Sequence, residues 1–170
     1  IYKPEYSYLA GDIAGAYQSV ADDNVQEAIR SMLFLNLELD GNTENPGAFI
    51  VFDQIKTEQI GSKKSFLLHT QSEPEIDDNV VIVKNTKGDY NGKLTNQVVY
   101  VGTAEKADKN YTITKIGGPG KEFVIGSYNY AHTNSIESSL SQEQGWGRVE
   151  ITTKASDYDQ TDYLLNVMYV

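Results

Sequence analysis

The segment SMLFLNLELD, residues 31–40, alternates apolar residues with a period of two, which is the pattern of a half-buried β-strand. The leucines at positions 33, 35, 37 and 39 would share one face, and the strand would enter water at its end. The next apolar run, GAFIVFDQI (residues 47–55), is apolar on both faces for most of its length, which is typical of an inner strand. These two neighbouring segments predict a β-sheet.

Further short strands are predicted along the rest of the chain, each bounded by residues that favour turns. They cover residues 64–70, 79–85, 93–102, 110–116, 121–126, 146–153 and 162–170. Short strands with regularly spaced turns are typical of mostly antiparallel sandwiches and barrels. We therefore predict an all-β fold, an antiparallel β-sandwich of many short strands, in a single domain over residues 1–170.

Residues 22–32 fit two different local structures. Four apolar residues between positions 25 and 32 have helical spacing, and Asp23 suits a helix N-cap, which predicts one short helix here. The same residues lead directly into the alternating leucines, which favours an extended segment. Periodicity leaves both alternatives open.

The composition excludes several classes of function. A formal net charge of −10 opposes binding to nucleic acid. The sequence contains no cysteine, which excludes disulfides, thiolate catalysis and cysteine-ligated zinc. No stretch approaches the roughly 20 apolar residues of a membrane span, so we expect no membrane insertion.

The two histidines are weak candidates for catalysis or metal binding. His69 shares a strand face with Leu67 and has neither a neighbouring histidine nor a nearby carboxylate motif, which favours a buried or semi-buried histidine hydrogen-bonded within the sheet. His132 follows Tyr128 and Tyr130, and a Tyr–His pair can transfer protons, although an exposed histidine at a strand end is the favoured interpretation. We predict no catalytic residue, no metal ligand and no cofactor.

Tyrosine is the most prominent residue type, with 12 in the chain. Its amphipathic ring suits both a sugar-binding surface and an ordinary β-strand. The candidate substrate-binding residues are Tyr128, Tyr130 and His132, which lie close together in sequence. Trp146 has a glycine on each side, which indicates close packing rather than an exposed platform.

The loop GGPG, residues 117–120, allows two interpretations. Adjacent glycines let backbone N–H groups approach an anion closely, as in a ligand-cradling loop. The loop matches neither the phosphate-binding nor the dinucleotide-binding glycine motif, and it leads into a predicted strand. A tight connection between strands is therefore the favoured interpretation.

Several segments, taken in order, resemble the heparinase II/III-like polysaccharide lyases. They are LAGDIAGAY (9–17), RSMLFLNL (30–37), FIVFDQI (49–55), KSFLLHTQSEPEI (64–76), YNGKLTNQ (90–97), ITKIGGPGKEF (113–123) and RVEITTKASDYDQTDYLLNV (148–167). The resemblance covers nearly all of the chain from about Leu9 onward, and it is to the later part of the family's β-sandwich domain.

The resemblance implies an exported bacterial enzyme, secreted or periplasmic, that cleaves uronic-acid-containing polysaccharide by β-elimination. In this family a helical toroid precedes the β-sandwich, and a Tyr and a His handle the proton at C5 of the uronate and at the leaving oxygen. The toroid and the upstream H-x-H-x-D-type histidine cluster do not occur in this sequence. The resemblance therefore implies a chain that is inactive alone, with an acidic polysaccharide or other glycan and the remaining domains of the parent enzyme as partners.

A different class of function remains as the alternative, a non-catalytic carbohydrate-binding or structural β-sandwich module. A carbohydrate-binding module should present converging exposed aromatic rings. A portion of a larger lyase should instead expose an apolar face where the rest of the enzyme docks.

Overall fold

The computed structural model describes residues 1–17, 25–41, 43–85, 91–103, 111–130, 145–154 and 159–170. These residues form twelve β-strands and two short 3-10 turns, at Ala14–Tyr17 and Glu38–Asp40. The strands are β1 (Tyr6–Asp12), β2 (Val25–Asn36), β3 (Gly47–Thr57), β4 (Ser65–Thr70), β5 (Glu75–Asp77), β6 (Val80–Asn85), β7 (Gly92–Gly102), β8 (Tyr111–Gly117), β9 (Val124–Ile125), β10 (Tyr128–Asn129), β11 (Gly147–Thr153) and β12 (Thr161–Tyr169).

The described strands form two main sheets and one small hairpin. The larger sheet has the order β1-β2-β3-β12-β7-β6-β5, the smaller sheet has the order β4-β11-β8, and β9 pairs with β10. Every strand pair is antiparallel. The predicted all-β, antiparallel fold class is confirmed.

The two main sheets share one hydrophobic core. Strands β3, β6, β7 and β12 of the larger sheet and strands β4 and β11 of the smaller sheet all contribute to it. Its buried members are Val51, Phe66, Val81, Val83, Val98, Val101, Val149, Ile151, Leu164 and Met168. Because one cluster draws residues from both sheets, the sheets pack face to face as a sandwich.

The segment for which a short helix was one alternative is a strand from Val25 onward. Residues 25–36 pair along their length with residues 47–57 of β3, so their backbone groups bond to a neighbouring strand instead of to each other. Ala28 is buried and its neighbour Ile29 belongs to the opposite face, which is the alternation of a strand. The helix alternative is therefore wrong for residues 25–32, and residues 22–24 lie outside the described part of the chain.

The strand predicted at residues 31–40 ends earlier than its leucine pattern indicated. The backbone N–H groups of Leu37 and Glu38 both donate to the carbonyl oxygen of Pro46, at 2.9 and 3.1 Å, and Gly41 adopts a left-handed φ of 81°. These bonds turn the chain back toward β3, and Leu39 is exposed on the turn. Strands β1, β5 and β10 were not predicted, whereas β3 is the inner strand that its sequence indicated.

A buried ion pair ties the smaller sheet to the central strand of the larger one. Lys64 is 3% exposed and Asp162 is fully buried. The Lys64 Nζ lies 2.6 Å from Asp162 Oδ2 and donates to the carbonyl oxygen of Asp159 at 2.5 Å. Burial raises the pKa of the Asp162 carboxyl, and the bond to Lys64 opposes that rise. The pair therefore depends on both partners being present.

Substitution Lys64→Met should lower the free energy of unfolding by about 3–5 kcal/mol, because it leaves the Asp162 carboxylate buried without its cation. The double variant K64M/D162N should recover part of this loss, and urea unfolding at neutral pH measures both. The matched control is Lys84→Met, since Lys84 and its partner Glu75 are both exposed, and its cost should stay below about 1 kcal/mol. If K64M lowers the free energy of unfolding no more than the control variant does, the buried ion pair does not stabilise the fold in this way.

Candidate functional site

Two of the three predicted substrate-binding residues lie together on a small exposed hairpin. This hairpin spans residues 122–130 and contains strands β9 and β10, and we refer to it as the tyrosine hairpin. Tyr128 and Tyr130 are 63% and 61% exposed, and their ring centroids lie 4.6 Å apart in an edge-to-face arrangement. Ile125, the strand partner of Tyr128, is also exposed. His132 lies outside the described residues.

Glu122 stabilises the backbone conformation of the tyrosine hairpin through hydrogen bonds. Its Oε1 accepts the backbone N–H of Gly120 at 2.9 Å, and its Oε2 accepts the Asn129 side-chain amide at 3.0 Å. Asn129 Oδ1 in turn accepts the backbone N–H of Phe123 at 2.9 Å. Hydrogen bonds from its own backbone N–H and from that of Gly120 lower the pKa of the Glu122 carboxyl. Sequence reasoning missed this role, because Glu122 bonds to Asn129 across the hairpin.

The glycines of the GGPG loop serve packing and backbone geometry. A Cβ on Gly117 would lie 2.4 Å from the Trp146 carbonyl oxygen and 2.5 Å from its indole ring. Gly118 and Gly120 have φ values of 90° and 78°, and the backbone N–H of Lys121 donates to the Gly118 carbonyl oxygen at 2.9 Å. The favoured interpretation of a tight connection is confirmed. Trp146 packs closely against Gly117, but it is half-buried and is not part of the hydrophobic core, where a core position was the favoured interpretation.

His69 lies on the outer face of the smaller sheet and is exposed. Its predicted position on the same face as Leu67 is confirmed, but the semi-buried interpretation is wrong. The reason is that Phe66 and Thr70 of the same strand are the buried residues, so alternation directs His69 away from the core. Among the residues that the structure describes, no group of three His, Cys, Asp or Glu side chains could hold a metal ion.

A second candidate site is a pocket at the edge of the sandwich, with a volume of about 360 Å³. It lies between the inner face of β2 and β3 and residues 62–65, which lead into β4. We refer to it as the edge pocket. Its apolar wall includes Ile13, Val25, Ala28 and Ile55. The lining also contains the charged residues Arg30, Asp53, Lys63 and Lys64.

The charged side of the edge pocket is built on the pairing of Arg30 with Asp53. Arg30 Nε and Nη2 donate to the two Asp53 carboxylate oxygens, each at 2.7 Å, while the Arg30 Cζ lies 5.6 Å from the centre of the Phe66 ring. Asp53 is buried, and this hydrogen bonding raises the pKa of Arg30 further. Sequence reasoning missed the pair because only the register of β2 against β3 places the two residues opposite each other.

Comparison with family models and with curated proteins returned no match. The two candidate sites are therefore interpreted from their own chemistry. The tyrosine hairpin offers exposed rings on a fixed backbone, while the edge pocket places the Arg30 guanidinium, held by Asp53, beside an apolar wall. In the part of the chain that the structure describes, no helix has the length and apolar character to cross a membrane.

The tyrosine hairpin should loosen on acidification before the sandwich unfolds. The pKa of Glu122 lies below its usual value of 4.5 in the folded state, so its contribution to stability is complete above pH 4.5 and is lost as the pH falls through the folded-state pKa. Amide NMR signals of Gly120 and Phe123 should follow this titration, while that of Leu164 in the core should not.

The variant Glu122→Gln should abolish this pH response, because the amide does not titrate in this range. Glu44→Gln, which changes an exposed glutamate elsewhere, should leave it intact. A hairpin that loses its structure at the same pH as the core would show that Glu122 does not control it.

Proposed function

We propose that this chain is the β-sandwich portion of an exported bacterial polysaccharide lyase of the heparinase II/III type, secreted or periplasmic, and catalytically incomplete alone. The whole enzyme would cleave uronic-acid-containing polysaccharide by β-elimination. One observation carries the proposal, the apolar outer face of the larger sheet. Such a face is what a portion of a larger enzyme requires and what a self-contained module avoids.

This outer face spans neighbouring strands of the larger sheet. Register places its side chains in rows that run from β1 and β2 through β3 to β12. Its apolar members are Tyr8, Leu33, Leu35, Ile50, Phe52, Tyr163, Leu165, Val167 and Tyr169, and the polar residues Ser31, Gln54 and Lys56 lie in the same rows. All are exposed or half-buried, and the Phe52 and Tyr163 rings are stacked with centroids 5.8 Å apart.

A monomeric protein rarely exposes a contiguous apolar patch larger than a few hundred Å². We therefore assign this face to contact with the remaining domains of the parent enzyme. The net charge of −10 suits a weakly charged uronan better than a heavily sulfated polymer, unless those domains supply the cations of the cleft. In this proposal the chain forms one wall of the sugar cleft.

The proposal is tested by measuring the ultraviolet absorbance of the unsaturated uronate that β-elimination creates. We expect the longer parent protein to degrade at least one of heparan sulfate, chondroitin, hyaluronan and alginate, and this chain alone to degrade none. The variant Phe52→Lys should lower activity in the parent by about tenfold or more, because it places a charge in the docking face.

The matched control for Phe52→Lys is Ile60→Lys, which changes an exposed apolar residue outside the outer face and should leave activity unchanged. If the parent protein degrades none of these polysaccharides, the lyase proposal is overturned. Turnover by the isolated chain would overturn the claim that it is incomplete.

A second candidate function, a carbohydrate-binding module, is favoured by the tyrosine hairpin. Two exposed rings in edge-to-face contact offer adjacent apolar surfaces and hydroxyl groups to a sugar. If the chain is a carbohydrate-binding module, Tyr128→Ala and Tyr130→Ala should each weaken glycan binding by about tenfold, or about 1.4 kcal/mol. Isothermal titration with the same uronans measures this.

The matched control is Tyr2→Ala, which removes an exposed tyrosine outside the hairpin and should change nothing. Binding without turnover in both this chain and its longer parent would favour the module over the lyase. If the two variants bind glycan as tightly as the unsubstituted chain, the tyrosine hairpin is not the glycan-binding site.

A further inference from the structure

We propose that the edge pocket binds a small amphipathic carboxylate, which its Arg30 guanidinium would hold while its apolar body lies against Ile13 and Ile55. This site is separate from the tyrosine hairpin and from the outer face of the larger sheet. It requires neither a polysaccharide nor the remaining domains of a parent enzyme.

The pocket exists because the smaller sheet is narrower than the larger one. Its edge strand β4 contacts β2 where Phe66 lies against Arg30. Beyond that contact the inner face of the larger sheet continues with Ala28 and its strand partner Ile55, and both line the edge pocket. The edge pocket occupies the step between the two sheets.

The wall of the pocket opposite β4 is held in place by hydrogen bonds. Asp12 Oδ1 accepts the backbone N–H groups of Ala14 and Ala28, at 2.9 and 3.1 Å, and the backbone N–H of Ile13 donates to the Ala28 carbonyl oxygen at 2.9 Å. These bonds fasten the turn at Ala14–Tyr17 to the start of β2. The pocket is therefore pre-formed, as small-molecule sites usually are.

Arg30 presents a fixed donor to this pocket. Asp53 engages Nε and Nη2, which locks the plane of the guanidinium group, and Nη1 has no hydrogen-bond partner among the described residues. The Arg30 side chain is 37% exposed, so a ligand can reach it. A guanidinium donor fixed in this way is well suited to a carboxylate, because charge-assisted hydrogen bonds are the stronger ones.

The other two cations of the lining, Lys63 and Lys64, are both paired with carboxylates. The Lys63 Nζ lies 3.2 Å from Glu150 Oε2, and Glu150 belongs by register to the outer face of the smaller sheet. The Lys64 Nζ pairs with Asp162 and is buried. Because the lining combines the Arg30 guanidinium with apolar side chains, the preferred ligand carries a carboxylate at one end and an apolar body at the other.

The size of the pocket agrees with a small molecule. Its volume of about 360 Å³ lies at the lower end of the range for small-molecule sites, about 300–1,000 Å³. The test uses benzoate and hexanoate as probes, with benzyl alcohol and hexanol as neutral analogues of similar shape. Amide NMR titration at constant ionic strength reports both affinity and location.

We expect both carboxylates to cause saturable shifts at Ile13, Ile55 and Lys63, with a dissociation constant on the order of 1–10 mM for ligands this small. The neutral analogues should bind about tenfold more weakly or not at all. The variant Arg30→Lys keeps a cation beside the buried Asp53 but loses the planar guanidinium donors. Binding of the carboxylate probes should therefore weaken about fivefold or more.

Ser62→Trp provides a second variant that leaves the Arg30–Asp53 pair untouched. Its side chain should fill the rim of the pocket and abolish binding. Ser127→Trp, a matched change on the tyrosine hairpin, should have no effect, and neither should Lys84→Gln, which removes a cation outside the pocket.

Three outcomes would overturn the assignment. They are equal binding of the neutral analogues, unchanged binding by both S62W and R30K, and shifts confined to residues outside the edge pocket. None of them would affect the lyase proposal, which is decided by uronan turnover in the parent protein.

Discussion

The last strand of the chain joins the two halves of the larger sheet. β12 lies between β3 and β7 and pairs with both, so β1-β2-β3 and β7-β6-β5 meet through it in the described sheet. Its partners are residues 48–56 and 95–102, which are far from it in sequence. Closing such long loops costs conformational entropy before the strand pairs can stabilise the sheet. The sandwich core, which includes Leu164 and Met168 of this strand, therefore depends on β12 being in place.

Polar residues on the inner face of the larger sheet meet partners from other elements. Asp162 on β12 pairs with Lys64, Asp53 on β3 pairs with Arg30, and Asn166 Oδ1 accepts the Asn96 side-chain amide at 3.2 Å. A buried charge or amide without a partner costs several kcal/mol at most sites. A slip of one residue in strand register would move each group to the opposite face and leave its partner buried alone. The pairs thus favour a single register, and the Arg30–Asp53 pair also forms one side of the edge pocket.

The three surfaces of interest differ in the chemistry that they offer. The outer face of the larger sheet is apolar and broad, which suits another protein domain. The tyrosine hairpin offers two exposed rings on a backbone fixed by Glu122, which suits a sugar. The edge pocket is concave and combines cations with an apolar wall, which suits a small anion. In the proposed lyase portion the first two would act together, with one in contact with the rest of the enzyme and the other with the substrate.

The sequence by itself determined the fold class and the position of most strands, because alternation with a period of two follows directly from a sheet with one buried face. It also indicated that the GGPG loop is a tight connection, that Trp146 packs closely and that Tyr128 and Tyr130 lie together. Tertiary structure alone decided that residues 25–32 form a strand, since their pairing with β3 overrides helical spacing. It alone brought Arg30 to Asp53 and Lys64 to Asp162, because these pairs span 23 and 98 residues and arise from strand register and sheet packing, which local sequence does not encode.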